Sequence, residues 1–343
     1  MEQVEKPVQT KDKHILLNVK NIKKYFPIKG GILKRTIGYV KAVDDVSFHV
    51  RKGETLGIVG ESGSGKSTLG QVILRLTDPT EGKVIFEGDD ISTLKQNQVR
   101  PYRKNMQIVF QDPFASLNSK MSVGELIEEP LVVQTNLSKK ERKEKAIQMI
   151  EKVGLRADDR QKYPHEFSGG QRQRISLARA LIIEPKLVIC DEPVSALDVS
   201  IQAQVLNLMQ DLQDDLGLTY LFIAHDLSVV KHISDRVAVM YLGRIAELAP
   251  KQTLYNNPLH PYTQGLLSAI PTVTKKTDTK QNKQKQNSSM LTGDIPSPAN
   301  PPSGCPFRTR CPKAYGRCSI ERPELTEVEE NHYVACHLYT EKT

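Results

Sequence analysis

Short apolar segments alternate with amphipathic, helix-like segments along most of the chain. Val46, Phe48 and Val50 alternate with polar residues, which is typical of a strand buried on one face. The same pattern predicts strands at 55–59, 107–110, 187–190, 220–224 and 237–241, and helices at 67–76 and 170–183. Because strands and helices alternate, we expect a largely parallel α/β sheet.

The segment 118–168 is predicted to be mainly helical. Ser138 and Glu141 in this segment form a capping box, which marks the start of one helix. Nearer the N-terminus, residues 15–59 are predicted to be mostly strand. A basic, glycine-containing loop between Pro27 and Val40 is expected to interrupt them.

Changes in composition divide the chain into regions. Residues 275–289 contain no apolar residue, which is typical of a flexible linker. Prolines and cysteines are frequent after residue 290. The predicted organisation is a disordered lead-in at 1–13, a main domain at 14–250, an extension at 251–274, a flexible linker at 275–290 and a small irregular, cysteine-rich region at 291–339.

The chain is basic, with 48 Lys and Arg against 40 Asp and Glu and a formal net charge of +8. Residues 1–41 hold ten basic against three acidic residues, and residues 275–285 hold five against one. Because the excess lies in these two segments, no extended basic face for nucleic acid is predicted. The two segments are either solvated or in contact with acidic lipids or a partner.

Apolar runs in the chain are short. The longest covers six residues, 237–242, and is far too short to cross a bilayer. The first residues lack the apolar core of a signal peptide. We therefore expect a cytoplasmic location, with any membrane role being peripheral.

A glycine-rich segment between the predicted strand at 55–59 and the predicted helix at 67–76 fits the phosphate-binding loop pattern. Its glycines allow backbone N–H groups to surround a phosphate. Lys66 supplies charge to the β- and γ-phosphates, and Ser67 offers a hydroxyl to Mg²⁺. The candidate nucleotide-binding residues are Gly60, Glu61, Ser62, Gly63, Ser64, Gly65, Lys66, Ser67 and Thr68.

Two more elements carry chemistry. The predicted strand at 187–190 is followed by Asp191 and Glu192. Asp191 is expected to hold Mg²⁺, and Glu192 to orient or deprotonate the attacking water. A second anion site is predicted before the helix at 170–183, where a hydroxyl and free amides come together: Ser168, Gly169, Gly170 and Gln171.

Taken in this order, the motifs resemble those of the nucleotide-binding subunits of ABC transporters. The resemblance implies a P-loop NTPase core of the ABC ATPase type, with a helical subdomain at about 112–168, an antiparallel β subdomain and a small cysteine-rich C-terminal appendage. It implies that the chain binds ATP and Mg²⁺ and hydrolyses ATP. The implied Mg²⁺ ligands are Ser67, Gln111 and Asp191.

Further site residues follow from the same resemblance. Gln111 matches the glutamine loop, and His225 matches the switch histidine that contacts the γ-phosphate; both are expected to act in catalysis. Asp198 ends the segment that runs between the two ATP sites of the family. Phe26 matches the aromatic residue that stacks on adenine, with the adjacent Tyr25 as the alternative.

The segments 111–118 and 257–263 and the cysteine-rich tail are similar to those of oligopeptide and dipeptide importers, most of all to their F-type ATPase subunit. This implies a place at the cytoplasmic face of the bacterial cell membrane. The implied partners are a second ABC ATPase subunit in a heterodimer, two transmembrane permeases and an extracytoplasmic peptide-binding protein. The alternatives are a soluble ABC-type ATPase that acts on ribosomes or nucleic acid, and an importer of another substrate, such as a metal complex.

The tail contains four of the five cysteines, which are Cys305, Cys311, Cys318 and Cys336. Their spacings differ from the short knuckle usual for structural zinc. Some peptide-importer ATPases that resemble this chain carry a [4Fe–4S] cluster in such a tail. An iron–sulfur cluster, a zinc site and four thiols remain the alternatives. Because the tail lies beyond the predicted linker, it is expected to be structural or to dock a partner, with no part in hydrolysis.

Overall fold

The computed structural model describes residues 14–31, 34–270 and 293–340, and it consists of strands and helices in alternation. The strands are β1 (Ile15–Gly30), β2 (Arg35–Arg51), β3 (Thr55–Val59), β4 (Glu81–Phe86), β5 (Asp89–Asp90), β6 (Met106–Val109), β7 (Leu187–Asp191), β8 (Thr219–Ala224), β9 (Arg236–Tyr241), β10 (Arg244–Pro250), β11 (Thr326–Glu329) and β12 (His332–Val334). The predicted lead-in at 1–13 and linker at 275–290 lie outside the described residues.

The larger of two sheets has the strand order β11-β12-β10-β9-β3-β8-β7-β6. From β9 to β6 the neighbouring strands are parallel, whereas β10, β12 and β11 continue the sheet in antiparallel pairing. Strands β3 and β8 are buried along their whole length, which is why they read as continuous apolar segments. The predicted largely parallel α/β sheet is confirmed for these central strands.

The helices are α1 (Lys66–Ile73), α2 (Gln96–Val99), α3 (Pro113–Ser116), α4 (Val123–Gln134), α5 (Lys139–Lys152), α6 (Gly169–Leu181), α7 (Val199–Leu216), α8 (Leu227–Ile233), α9 (Lys251–Asn256), α10 (Pro261–Ser268) and α11 (Gly316–Ile320). The helices α1 to α8 lie in the connections between the parallel strands, and the other described helices follow β10. Within the described ranges, no helix combines the length and the hydropathy of a membrane span.

The larger sheet is covered on both faces, as the alternation along β7 shows. Val188 and Cys190 enter a hydrophobic cluster with residues of α6, α7 and α8. Leu187 and Ile189 enter a second cluster with α1 and the smaller sheet. Because successive side chains of a strand point to opposite faces, this strand lies between two cores.

The smaller sheet has the order β2-β1-β4-β5 and is antiparallel. The inward-facing Val46, Phe48 and Val50 of β2 are buried, as predicted. The predicted loop between Pro27 and Val40 is wrong, because β1 and β2 continue as a paired hairpin through this region. Main-chain hydrogen bonds extend the strands here although many side chains are exposed, so the apolar alternation that marks a strand is missing.

The helical region between β6 and α6 is confirmed. Ser122 and Ser138 cap α4 and α5, and each forms a capping box with the Glu three residues later. The Arg179 guanidinium of α6 donates to the Glu129 carboxylate of α4 over 2.7 Å and joins this region to the core.

The cysteine-rich region is not the irregular appendage that we expected. β12 pairs with β10, and β11 pairs with β12, so residues 326–334 extend the larger sheet. The Lys41 amide of β2 also donates to the Pro298 carbonyl over 3.1 Å. The two strands have four and three residues, which is too short for a periodic pattern to reveal them.

A buried polar network joins β12 to β10 and to the segment just before α10, which belongs to the predicted extension at 251–274. The Glu247 carboxylate of β10 is fully buried and pairs with Nε2 of His332 of β12 over 2.7 Å. It also accepts the backbone N–H groups of Leu259 (2.8 Å) and His260 (3.0 Å) just before α10. Three segments that are distant in sequence therefore share one buried charge, which is satisfied by hydrogen bonds.

His260 is buried, and its Nδ1 accepts the backbone N–H of Tyr262 at the start of α10. Burial lowers the pKa of His260 from 6.5 to about 4, against the opposing charge of Glu247. The unfolded chain therefore takes up a proton below pH 6.5 that the folded imidazole does not accept. The stability present above pH 6.5 is lost as the pH falls towards 4, by about 3 kcal/mol in total.

We predict that His260→Asn removes this pH dependence, because Asn keeps a capping side chain but does not titrate. Urea unfolding of both proteins at pH 7 and pH 4.5 measures the effect. Wild type is expected to lose about 2 kcal/mol more unfolding free energy between pH 7 and pH 4.5 than the variant. Equal losses would contradict the neutral, buried state of His260.

Candidate active site

The phosphate-binding loop lies between β3 and α1, as predicted, and backbone on two sides confines it. A Cβ atom at Gly60 would lie 2.1 Å from the Met240 carbonyl oxygen, and one at Gly65 would lie 2.0 Å from the Ala42 carbonyl oxygen. Gly65 also has φ +98°, in the left-handed region that favours glycine. β2 and β9 therefore shape the loop, and any side chain at these two positions would displace it.

The Lys66 ammonium lies beneath the loop and is buried. It donates to the backbone carbonyls of Gly60 (2.7 Å) and Glu61 (3.0 Å). Burial lowers the pKa of Lys66, and the charges of Glu192, Asp191 and Glu61 oppose this shift. A cation in a loop of backbone amides is the arrangement that binds a nucleotide phosphate.

Ser67 and Asp191, which are predicted to hold Mg²⁺, contact each other. The Ser67 hydroxyl donates to Oδ1 of Asp191 over 2.8 Å, which joins the start of α1 to the end of β7. Burial raises the pKa of Asp191, the bond from Ser67 lowers it, and the nearby Glu192 raises it. A hydroxyl and a carboxylate side by side are oxygen ligands that suit Mg²⁺.

Three predicted catalytic residues meet at the Glu192 carboxylate. Oε2 of Glu192 accepts the Gln111 amide N–H over 3.1 Å and lies 3.0 Å from Nδ1 of His225. The residues follow the ends of β7, β6 and β8, which are neighbours in the sheet. Glu192 has φ +48°, a backbone conformation that non-glycine residues adopt at a cost and that is common at functional sites. A carboxylate held in this way can accept a proton from water.

The Ser168–Gln171 segment begins α6, and its exposed residues face solvent. The Ser168 hydroxyl caps the helix by accepting the Gln171 backbone N–H. The Gln171 side-chain oxygen in turn accepts the Ser168 backbone N–H over 3.0 Å. Among the described residues, no hydrogen bond joins this segment to the phosphate loop of the same chain. A Cβ at Gly170 would lie 2.4 Å from Cγ2 of Ile201, so the helix start packs tightly against α7.

The remaining predicted residues differ in exposure. Asp198 precedes α7 as its N-cap residue and is exposed, and Thr68 lies in the first turn of α1. The Phe26 side chain is 39% exposed on β1, with the Lys24 ammonium 4.9 Å from its ring centroid. Tyr25 differs, because its hydroxyl donates to the Asp44 carboxylate.

The four tail cysteines share one neighbourhood. Burial raises the pKa of Cys305 and of Cys336 to about 11, and for Cys336 the other three thiols add to the shift. The Cys305 amide donates to the Cys318 carbonyl over 2.8 Å. Over the part of the chain that the structure describes, no group of three or more His, Cys, Asp or Glu side chains could hold a metal ion. The described side chains therefore form no metal site as placed, and the iron–sulfur cluster stays a prediction from the sequence.

Relatives identify the family. The oligopeptide transport ATP-binding protein AppF of Bacillus subtilis is 56% identical over 95% of this chain and 98% of its own length. The chain belongs to the oligopeptide and dipeptide transport ATP-binding proteins. The dipeptide transport ATP-binding protein DppF of Haemophilus influenzae is 49% identical over 96% of this chain and 98% of its own length. Residues 43–195 of this transport ATP-binding protein match the family described as ABC transporter, and residues 246–318 match the C-terminal region of oligopeptide/dipeptide transporters.

A solved structure agrees with this assignment. The ATP-binding cassette MJ0796, bound to ADP and phosphate in a dimeric post-hydrolysis state, is 27% identical, with a TM-score of 0.62 over 69% of this chain and 99% of its own. This transport ATP-binding protein is therefore an ATPase with the P-loop ABC fold. The alternatives of a soluble ABC-type ATPase and an importer of a metal complex are not favoured.

Two residues of the site were missed in the sequence. Arg310 binds the Glu61 carboxylate of the phosphate loop, and the Tyr262 hydroxyl accepts the Glu61 amide N–H. Tyr262 lies in the family-specific segment 257–263, for which the sequence suggested no chemistry. Arg310 is 249 residues from Glu61, and no motif connects two positions so far apart.

We predict that Glu192→Gln in this transport ATP-binding protein keeps ATP binding and nearly abolishes hydrolysis. Gln retains the shape and can still contact Gln111 and His225, but it cannot accept a proton. The rate of phosphate release should fall by about a hundredfold or more. Both the Kd for ATP and the hydrolysis rate are measured for wild type and variant. If the variant hydrolysed ATP at the wild-type rate, Glu192 would not have this role.

Proposed function

We propose that this chain is the ATP-hydrolysing subunit of an importer for oligopeptides or dipeptides. The observation that carries the proposal is the convergence of Lys66, Asp191, Glu192, Gln111 and His225 at one edge of the sheet. It occurs in a chain whose relatives over almost its whole length are named for oligopeptide and dipeptide transport. ATP hydrolysis would drive the movement of peptide through the membrane partners.

The residues of the site divide the work of hydrolysis. Lys66 and the loop amides bind the β- and γ-phosphates of ATP and stabilise the charge that develops on them. Ser67, Asp191 and Gln111 would hold Mg²⁺, which would neutralise phosphate charge. Glu192 accepts the proton of the attacking water, and His225 contacts the γ-phosphate.

The adenine base is proposed to stack on Phe26. The Phe26 ring is more than a third exposed. Among the described residues, the cation found near this ring is the Lys24 ammonium of the same strand. Tyr25 is less available, because its hydroxyl is bound by Asp44 and burial together with that bond raises its pKa. Stacking requires an open aromatic face, so the contacts support Phe26 as the base-binding residue.

The site is proposed to be completed by a second subunit. Ser168 and Gln171 are exposed and have no bond to the phosphate loop of their own chain within the described ranges. They would cover the γ-phosphate of ATP bound to the partner, and Asp198 would lie between the two sites. We propose a heterodimer with a second ABC ATPase subunit, so that ATP holds the two subunits together and hydrolysis releases them.

The remaining partners follow from the same proposal. Two transmembrane permeases would contact the helical region at about 112–168, which moves when the ATPase subunits close. An extracytoplasmic peptide-binding protein would deliver the peptide. The chain would then be a peripheral subunit at the cytoplasmic face of the cell membrane. We also propose the domain boundaries given above for the main domain and its extension.

We predict that the isolated chain hydrolyses ATP slowly and that assembly accelerates it. The partner's helix N-terminus supplies donors to the developing charge, a contribution worth about a hundredfold in rate. The measurement compares the chain alone with proteoliposomes that contain the partner ATPase, both permeases and the binding protein, with and without dipeptide or oligopeptide. The Ser168→Arg variant is the matched test. It alters the segment that is proposed to complete the partner's site, so its assembled complex should lose the acceleration that depends on this segment.

Two results would contradict this account. If the isolated chain matched the assembled complex, the site would be complete in one subunit. If the complex hydrolysed ATP but did not accumulate peptide, the chain would be an ATPase with another transport substrate.

The [4Fe–4S] cluster remains a prediction from the sequence. We propose it for Cys305, Cys311, Cys318 and Cys336, which lie near one another, but we assign it no step in hydrolysis. Protein purified without oxygen should be brown and contain about four irons per chain. A colourless preparation with one zinc or no metal would rule the cluster out.

A further inference from the structure

The Glu61 carboxylate of the phosphate loop is held by an arginine from the C-terminal region. Nη1 of Arg310 donates to Oε2 of Glu61 over 2.7 Å, and Nη2 donates to Oε1 over 3.0 Å. The Arg310 side chain is 5% exposed and the Glu61 side chain 25% exposed. Two parallel bonds between a guanidinium and a carboxylate fix both distance and orientation.

The backbone of the same residue is held by a second group of the family-specific region. The Tyr262 hydroxyl accepts the Glu61 amide N–H over 3.0 Å, and Tyr262 is fully buried in α10. Tyr262 and Arg310 both lie within residues 246–318, the part that matches the C-terminal region of peptide transporters. This region therefore holds Glu61 at its main chain and at its side chain.

Both contacts rest on a packed aromatic cluster. The rings of Tyr241, Tyr262 and Phe307 lie 4.7 to 5.4 Å apart, and the Arg310 guanidinium lies 5.8 Å from the centre of the Tyr241 ring. Tyr241 is the last residue of β9. This strand pairs with β3, the strand that ends directly before the phosphate loop. Because these side chains are buried, they hold the Arg310 guanidinium in one orientation relative to the loop.

Glu61 is also coupled to the ammonium that binds phosphate. Its carbonyl accepts a bond from Nζ of Lys66 over 3.0 Å. Burial lowers the pKa of Lys66, and the Glu61 carboxylate opposes this shift together with the larger effects of Glu192 and Asp191. A carboxylate within electrostatic reach of Lys66 would repel a triphosphate and compete for the ammonium, unless a cation neutralised it.

We propose that Arg310 is a positioning residue for ATP binding, which neutralises the Glu61 carboxylate and, with Tyr262, holds the phosphate loop in its binding shape. The cysteine-rich region thereby takes part in ATP binding, a role that the sequence did not predict for it. The proposal concerns ATP binding by this chain and does not depend on which substrate is transported.

The test measures the Kd for ATP of the full chain by titration calorimetry. Arg310→Gln should weaken ATP binding about tenfold, because it leaves the Glu61 charge free beside the phosphates. Adding Glu61→Gln to Arg310→Gln should restore the Kd to within about threefold of wild type, because the repelling charge is then removed. Arg310→Lys should lie between wild type and Arg310→Gln. Arg308→Gln is the matched control, since Arg308 is two residues away and, among the described residues, its side chain donates to Ser303 and not to the phosphate loop.

A purely structural role for Arg310 predicts different results. In that case the double variant would bind ATP as poorly as Arg310→Gln, and this outcome would overturn the proposal. In the assembled complex, Arg310→Gln should raise KM for ATP with kcat unchanged within about twofold, as loss of binding without loss of chemistry requires. A fall in kcat at constant KM would also overturn it.

A second variant keeps the test decisive if Arg310→Gln does not fold, as judged by its thermal unfolding. Tyr262→Phe keeps the buried ring and removes only the acceptor of the Glu61 amide. We expect it to weaken ATP binding about threefold while the chain remains folded. Wild-type affinity in a folded Tyr262→Phe protein would show that the region does not position the loop.

Discussion

The in-register pairing of β3, β7 and β8 is the constraint on which the active site depends. The last residues of β3 and β8 pair with each other, and the last residue of β7 pairs one step earlier on β8. The residues that follow therefore emerge at one level of the sheet, among them Gly60, Glu192 and His225. A slip of one residue in any of these pairs would turn the following side chain to the other face and separate the group. Binding sites form at this edge because carboxyl ends of parallel strands leave a crevice there.

The loop that receives the phosphates depends on a second constraint, the close approach of neighbouring backbone. Ala42 and Met240 place carbonyl oxygens where a side chain at Gly65 or Gly60 would lie. The Ser64 carbonyl also accepts the Gly243 amide over 2.9 Å. The shape of the loop is thus imposed by β2 and by the β9–β10 turn as well as by its own glycines. These outside contacts explain why a short glycine-rich loop keeps its open shape around the buried Lys66 ammonium.

Much of the central fold and site could be predicted from the sequence, because each part has a local signal. The buried strands, the capping box at Ser138, the phosphate loop and the acid pair after β7 are all contiguous patterns. The end of the β1–β2 hairpin between Pro27 and Val40 and the short strand β12 had no such signal, since backbone pairing forms them without apolar alternation. The contact of Arg310 with Glu61 joins residues that are far apart in the chain and that no spacing rule relates.

The C-terminal region contributes two arginines to acids of the nucleotide-binding part, and their common feature explains its place in the fold. Arg310 binds Glu61 of the phosphate loop, and Arg322 donates to Asp44 over 2.9 Å, the same acid that holds Tyr25. Partly exposed ion pairs contribute only about 0–1 kcal/mol to stability, so stabilisation alone is a weak reason for them. Their value lies in orientation, because each fixes an acid that contacts the nucleotide-binding part: Glu61 accepts from Lys66 at its carbonyl, and Asp44 accepts from Tyr25, the neighbour of Phe26. Through these two contacts, a displacement of the C-terminal region would also displace Glu61 and Asp44 and so change the shape of the phosphate loop and its surroundings.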